Sequence, residues 1–302
     1  MKNLSIALLG VLVALAFVQP VKAAEYTLTV EPNYPPAQAQ EVYKPLLDYL
    51  AKATGQRFRL KTAPNYHVYW RDMRSGAATD FAFEEAHFTD YRMNRQRFTP
   101  LVRVLESTRF VLLADAEVAS KGANYLVGRR IVSMSAPSMG YLLLGELYKN
   151  PIAQPEIQSV AASWKDGVEM VFAGETDAAM VPGYIAKDYN NLVPVASSRD
   201  FMGRALSVAP TVPADVRKKV TDAMLRLHRD TTAFEVINEL GTAQFVPTTA
   251  AEYTGNERLL RGVFGYQAVP GKTLPPPQTV PAPGTTPAKP AAGFSIEASR
   301  GG

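Results

Sequence analysis

The chain has 302 residues, 47% of them hydrophobic and 20% charged, with a formal net charge of +4, three histidines and no cysteine. This is the balance of a folded globular protein, and the missing cysteine excludes disulfides, thiolate metal sites, thiol nucleophiles and a lipid-bearing cysteine. Setting aside Lys2 and Lys22 of the N-terminal leader lowers the charge to +2, too small and too dispersed for a nucleic-acid footprint.

Lys2 precedes an apolar run from Leu4 to Val18, and Gln19-Pro20-Val21-Lys22-Ala23 places small residues where a signal peptidase reads them. The run, about 15 residues, is shorter than the roughly 17 to 25 a helix needs to cross a bilayer, so a cleavable signal peptide over residues 1–23 is expected rather than an anchor. Cleavage is expected after Ala23, with Ala24 as the neighbouring choice. The product would float free in a periplasm without a lipid anchor, as a monomer.

Strands are then predicted at Tyr26–Val30, Phe58–Lys61, Asp80–Phe83, Leu101–Val104, Arg109–Leu113, Ile131–Met134, Ala178–Val181 and Ala205–Val208, with helical runs between them. The clearest helix carries Val42, Leu46, Leu47, Tyr49 and Leu50 at helical spacing, and Gly55 terminates it. The basic stretch Arg92–Arg97 falls on a further helix and reads as a solvated face. Alternation of this kind predicts an α/β fold with mainly parallel sheets flanked by helices. From residue 267 to residue 302 the chain holds eight prolines and little apolar surface, the composition of a disordered tail.

One internal echo stands out: Met73 to Ala82 and Val171 to Ala179 each read as helix, Gly, short turn, Asp and buried strand. Either this is the ordinary αβ joint of any such protein, or it marks two similar lobes. On the second reading lobe I comprises 24–112 with 206–266 and lobe II 113–205, joined by crossings near Arg109–Ala114 and Arg204–Ala209 that would act as a hinge.

Four stretches resemble the solute-binding components of phosphate, phosphite and phosphonate ABC importers. They are Glu31–Gly55 with Tyr43-Lys44-Pro45-Leu46, Tyr66–Ala82 with Arg74-Ser75-Gly76, Gly128–Leu142 with Ser138-Met139-Gly140, and Trp164–Met180 with Gly174 and Asp177. The resemblance implies a two-lobed type II periplasmic-binding-protein fold that captures a small ligand and hands it to an ABC permease. It also implies an oxyanion seat at a helix N-terminus, where amides and hydroxyls converge on negative oxygens. This chain departs from that pattern. The family's Ser-Thr-Ser-Gly turn reads Pro137-Ser138-Met139-Gly140 with Ser135 upstream, Trp164 holds the histidine position, and Glu84-Glu85-Ala86 replaces a small Gly-Pro turn. The expected ligand is therefore a zwitterionic or cationic organic molecule, or a weakly held oxyanion, rather than a simple phosphonate.

The candidate ligand-binding residues are Tyr66, Glu84, Glu85, Ser135, Ser138, Met139 and Trp164. Each has a plainer role open to it: Tyr66 could cap the lobe surface, Trp164 could pack helix on sheet, Glu84 and Glu85 could begin a helix, and Ser138 could be an N-cap. Trp70 shares a helical face with Tyr66 and Met73 and reads as core. His67, His87 and His228 are dispersed, no nucleophile elbow, P-loop or dinucleotide fingerprint occurs, and adjacent Glu84 and Glu85 cannot straddle a glycosidic bond. No enzyme, metal or cofactor is expected. The alternative function is a periplasmic ligand sensor or scaffold feeding a signalling receptor, with a membrane sensor in place of a permease as its partner.

Overall fold

The computed structural model describes residues 23–268. The expected signal peptide, except Ala23, and the expected tail, except Gln267 and Ala268, lie outside the described residues.

The chain begins with β1 (Glu25–Val30), α1 (Pro36–Thr54), β2 (Arg57–Lys61), α2 (Tyr66–Arg74), β3 (Phe81–Glu84), α3 (Ala86–Gln96) and β4 (Thr99–Val104). It then crosses to β5 (Phe110–Ala114), α4 (Ala116–Lys121), β6 (Arg130–Val132), α5 (Met139–Leu147), β7 (Glu156–Gln158), α6 (Trp164–Phe172), β8 (Ala178–Pro182), α7 (Gly183–Ala186) and β9 (Val193–Ser197). It returns through β10 (Ala205–Val208), α8 (Ala214–Arg226), α9 (Phe234–Glu239) and β11 (Phe245–Pro247).

Lobe I is built on a sheet of order β11-β4-β10-β3-β1-β2, and lobe II on one of order β7-β6-β8-β5-β9. The two-lobed α/β architecture is the one expected, but both sheets are mixed rather than mainly parallel. β1 pairs parallel with β2 and β3, and β6 with β7 and β8, while every pairing of β10, β4, β5 and β9 is antiparallel. The strands missing from the sequence reading, β7, β9 and β11, all lie at sheet edges. They are short, and Pro194 and Pro247 occupy two of them, which an edge tolerates because one side of the strand needs no ladder.

α1 forms as its spacing requires: Ala39, Tyr43, Leu46 and Leu50 are buried on one stripe, and Gly55 at φ 72° closes the helix by donating to Ala51 O. α3 does not behave as a solvated face. His87 through Arg92 are buried, Arg92 forms an ion pair with Glu84, and Arg95 forms one with Glu257. Arg92 is drawn inside and Arg95 half-buried because carboxylates from β3 and the C-terminal segment neutralise them, while Arg97 stays exposed.

The crossovers fall at 105–109 and 198–204, just before the runs the sequence suggests, since Phe110–Ala114 and Ala205–Val208 are already strands of the two sheets. They run side by side, with Thr108 and Phe201 exchanging backbone hydrogen bonds of 3.0 and 2.8 Å. A Cβ on Gly203 would meet Glu106 O at 2.3 Å, so this close approach requires glycine. After β11 the chain folds back over α3. The Glu257 N–H donates to Asp90, and the Tyr253 hydroxyl donates to Gly203 O at 2.6 Å. One apolar cluster packs α1 and α8 on the lobe I sheet, whereas the other runs from Tyr66, Trp70 and Phe88 of lobe I into Phe110 and Trp164 of lobe II. The lobes thus meet in a packed contact at the ends of β1, β3, β6 and β8.

Candidate functional site

Open α/β sheets present their ligand sites at the carboxyl ends of strands, and here those ends face one another across the lobe boundary. From lobe I come Glu31 and Asn33 after β1, Tyr66 at the start of α2, and Glu84 and Glu85 at the end of β3. Lobe II contributes Ser133 and Ser135 after β6, Ser138, Met139 and Gly140 at the start of α5, and Trp164 at the start of α6.

The centre of the contact is Asn33. Its Oδ1 accepts the Trp164 indole N–H at 2.8 Å across the boundary and lies 2.7 Å from the Tyr66 hydroxyl, which is itself 2.8 Å from Glu31 Oε2. An indole nitrogen can only donate, so Oδ1 is fixed as an acceptor. The Tyr66 hydroxyl has one hydrogen and two acceptors to face. Both contacts are satisfied when Tyr66 donates to Asn33 and a protonated Glu31 donates to Tyr66. Burial, and after it the charge of Glu85, pushes the Glu31 carboxyl well above its ordinary range, in agreement with that count. Glu31 Oε1 in turn accepts the Glu85 backbone N–H at 2.5 Å.

The two adjacent glutamates have separate fates. Glu84 is fully enclosed, with both oxygens 2.7 and 2.8 Å from Arg92 Nε, and it also accepts from the Tyr69 hydroxyl. Such a saturated pair belongs to the framework. Glu85 is less complete: its carboxyl is 3.9 Å from Arg204 Nε, and its Oε2 is buried without a hydrogen-bond partner. Burial raises it to about 7 despite the Arg204 charge and a hydrogen bond from Thr108. Below it, His87 is held to about 3 by burial, which outweighs its contact with the Pro137 carbonyl 3.0 Å from Nε2.

On the lobe II side, Ser138 serves as the N-cap of α5. Its Oγ accepts from the Tyr141 N–H at 3.3 Å and donates to Met134 O at 2.9 Å, and the residue is fully buried. Met139 is equally enclosed, and Ser135 contributes its carbonyl to the Ser138 N–H at 2.9 Å. Trp164 covers this turn. A Cβ placed on Gly140 would lie 3.1 Å from the far edge of the indole and 3.0 Å from Ser133 Oγ. Phe110 packs edge-on against the same indole with ring centres 5.6 Å apart. Trp164 therefore reaches from the helix start of lobe II, where an oxyanion would sit, to Asn33 of lobe I.

Of the residues singled out from sequence, the structure brings Tyr66, Glu85 and Trp164 together through Glu31 and Asn33, and places Glu84, Ser135, Ser138 and Met139 in the supporting layer. Glu31, Asn33, Ser133 and Arg204 were missed as site residues. The first two follow β1 as Glu84 and Glu85 follow β3, and the strand-end rule applied to β1 would have found them.

Two α/β lobes with helix starts and strand ends converging on a shared boundary define a bilobal binding protein. The family model described as "ABC transporter, phosphonate, periplasmic substrate-binding protein" matches residues 28–253, and the chain belongs to this family. Among solved structures, PhnD1 from Prochlorococcus marinus in complex with methylphosphonate superposes with a TM-score of 0.65 at 12% identity, covering 78% of this chain and 97% of that one. A binding protein component of an ABC phosphonate transporter from Pseudomonas aeruginosa gives 0.65 at 13% identity, covering 78% and 85%. XAC2383 from Xanthomonas citri bound to ATP gives 0.59 at 16% identity, covering 79% and 99%. At these identities the superpositions show the fold. A search of curated proteins found no match. Among the described residues no helix is long and apolar enough to cross a membrane.

Proposed function

We propose that the protein is the ligand-capturing component of an ABC importer, exported by residues 1–23 as a signal peptide. It closes its lobes on a small zwitterionic or cationic organic molecule and presents it to a membrane permease. The observation that carries this reading is the Trp164 indole lying on the first turn of α5 and bonded to Asn33. The place that would offer amides to a phosphonate is covered by an aromatic face, and the opposite wall holds Glu31 and Glu85. A dianion against that wall would be repelled by each carboxylate that is ionised, by about 1 kcal/mol per charge pair at 4 Å in water and more where water is excluded, or would hold the carboxyls in their protonated form. An ammonium would instead gain two carboxylates and the aromatic faces of Trp164 and Tyr66.

Because burial raises Glu85 to about 7 and Glu31 well above its ordinary range, they must release protons to pair with a cation. Affinity for an ammonium ligand should accordingly rise as pH increases through about 7, the value for Glu85. The lobes are taken to hinge at 105–109 and 198–204. Titration calorimetry against phosphate, methylphosphonate, aminoethylphosphonate and a panel of amines and amino acids, at pH 6 and pH 8, tests the proposal. Binding of an amine or amino acid, tighter at the higher pH, is the expected result. Low-micromolar binding of methylphosphonate would overturn the ligand class.

A further inference from the structure

A second cavity, of about 780 Å³, opens where α2 of lobe I, the outer face of α5 in lobe II and the segment 258–264 meet. That volume lies within the usual range for small-molecule sites. It lies behind the turn that Trp164 covers, since Ala136, Pro137, Tyr141, Leu142 and Gly145 line it while Gly140 faces Trp164.

Its wall carries Arg71, Arg74, Arg258 and Arg261. Arg71 is neutralised by Asp72 at 2.7 Å, and the one carboxylate of the wall, Glu146, is 2.6 Å from Arg199. Arg74, Arg258 and Arg261 form no ion pair with a carboxylate among the described residues, and the Nε atoms of Arg74 and Arg258 are buried without a partner. Burial first, then the like charge of Arg199, holds the Arg258 guanidinium below its ordinary value; Glu146 offsets part of this and Arg261 adds to it. Arg258 and Arg261 repel one another, Arg74 stands on the same wall over the Trp70 ring with one N–H donated to Gly265 O at 3.3 Å, and an anion among them relieves the repulsion. Beside them Trp70, Tyr141 and Phe264 supply aromatic surface. The Trp70 indole N–H donates to Phe264 O at 2.9 Å and ties the C-terminal wall to α2.

We infer that this cavity is a second ligand site, for a planar aromatic molecule carrying two or three negative charges. The chain's own C-terminal residues do not suit it, because Lys272, Lys289 and Arg300 outnumber Glu297 there and would add to the repulsion. Guanidinium forks suit sulfonate, carboxylate or phosphate oxygens, and the aromatic side chains suit the flat body of such a molecule. An occupant would touch both lobes, through α2 and α5.

The trianionic dye 1-hydroxypyrene-3,6,8-trisulfonate serves as the probe, its binding to the purified protein followed by fluorescence anisotropy at low salt. Saturable binding is expected, weakening as salt screens the charges. Arg261→Gln changes an exposed residue and should leave folding intact while weakening the dye about threefold or more, and Arg258→Gln with Arg261→Gln should weaken it about tenfold or more. Arg57→Gln, which changes an exposed arginine of β2 outside the cavity lining, should leave dye binding unchanged. No saturable signal up to about 1 mM dye, or an Arg261→Gln affinity within about twofold of the parent, would overturn the site. So would an equal loss of dye binding in Arg57→Gln, because it would make the binding a general effect of surface charge rather than of this cavity. None of these outcomes depends on whether the interlobe site takes an ammonium ligand.

Discussion

The joint that runs from α2 to β3 in lobe I and the joint from α6 to β8 in lobe II share one backbone plan and differ in what stands at the helix start. Asn65 and Ser163 cap the two helices by accepting the Val68 and Asp166 N–H groups at 2.9 and 3.1 Å. Gly76 and Gly174, at φ 72° and 70°, end them, donating to Met73 O and Val171 O. Thr79 and Thr176 donate to the carbonyl two residues on, and Asp80 and Asp177 accept the Thr27 and Arg130 N–H groups of the neighbouring strands. The first helical residues are Tyr66 and Trp164, and both converge on Asn33 Oδ1. The shared plan is framework, set by capping and turn chemistry. The difference is the site: a phenol that accepts a hydrogen bond from Glu31 and donates one to Asn33 on one side, and on the other an indole that can only donate and that covers α5.

If the indole joins the lobes, Trp164→Ala should have the largest effect, about 3 to 5 kcal/mol in denaturant unfolding, from a lost buried aromatic and the loss of one of the two donors to the Asn33 oxygen. A loss below about 1 kcal/mol would mean that the lobes are held together elsewhere.

Next in size is the pH dependence on the lobe I side. Glu85 titrates at about 7 when folded against 4.5 ordinarily, so the folded state binds its proton more tightly. The stabilisation is full below pH 4.5 and is lost as pH rises through 7, amounting to roughly 3 kcal/mol at most. Glu85→Gln should therefore flatten the fall in stability between pH 5 and 7, leaving the share due to Glu31, whose shift has the same sign. An identical slope in parent and variant would show that Glu85 is not the titrating group.

Tyr66→Phe removes the hydroxyl between Glu31 and Asn33 and should cost about 1 to 3 kcal/mol by leaving buried polar atoms unpartnered. A neutral effect in chemical unfolding would argue against this chain of hydrogen bonds. The smallest effects test the shared plan itself. A methyl group added at Gly76 or Gly174 would meet open space, so Gly76→Ala and Gly174→Ala should each cost only the conformational penalty of a positive φ, about 1 kcal/mol. Thermal unfolding that separates the two by more than about 1 kcal/mol would break the equivalence of the joints.

The sequence by itself determined the local frame. Helical spacing and Gly55 defined α1, the repeated Gly, turn, Asp pattern marked both joints, and the buried interior strands declared themselves by apolar runs. It also placed Tyr66 and Trp164 at helix starts and Glu85 at a strand end, because capping and strand-end position are local properties. Tertiary structure alone decided the partners. Glu84 pairs with Arg92 and Tyr69, so one of two adjacent carboxylates becomes framework while the other keeps an unpartnered oxygen. Arg92 and Arg95 of α3 were drawn inward because Glu84 from β3 and Glu257 from 162 residues beyond Arg95 approach them. Asn33 became the meeting point of two lobes because Trp164, 131 residues away, arrives there only after both sheets have formed. Spacing along a chain encodes which face a side chain occupies; which charge or hydrogen-bonding group lies opposite depends on long-range packing, which no local pattern records.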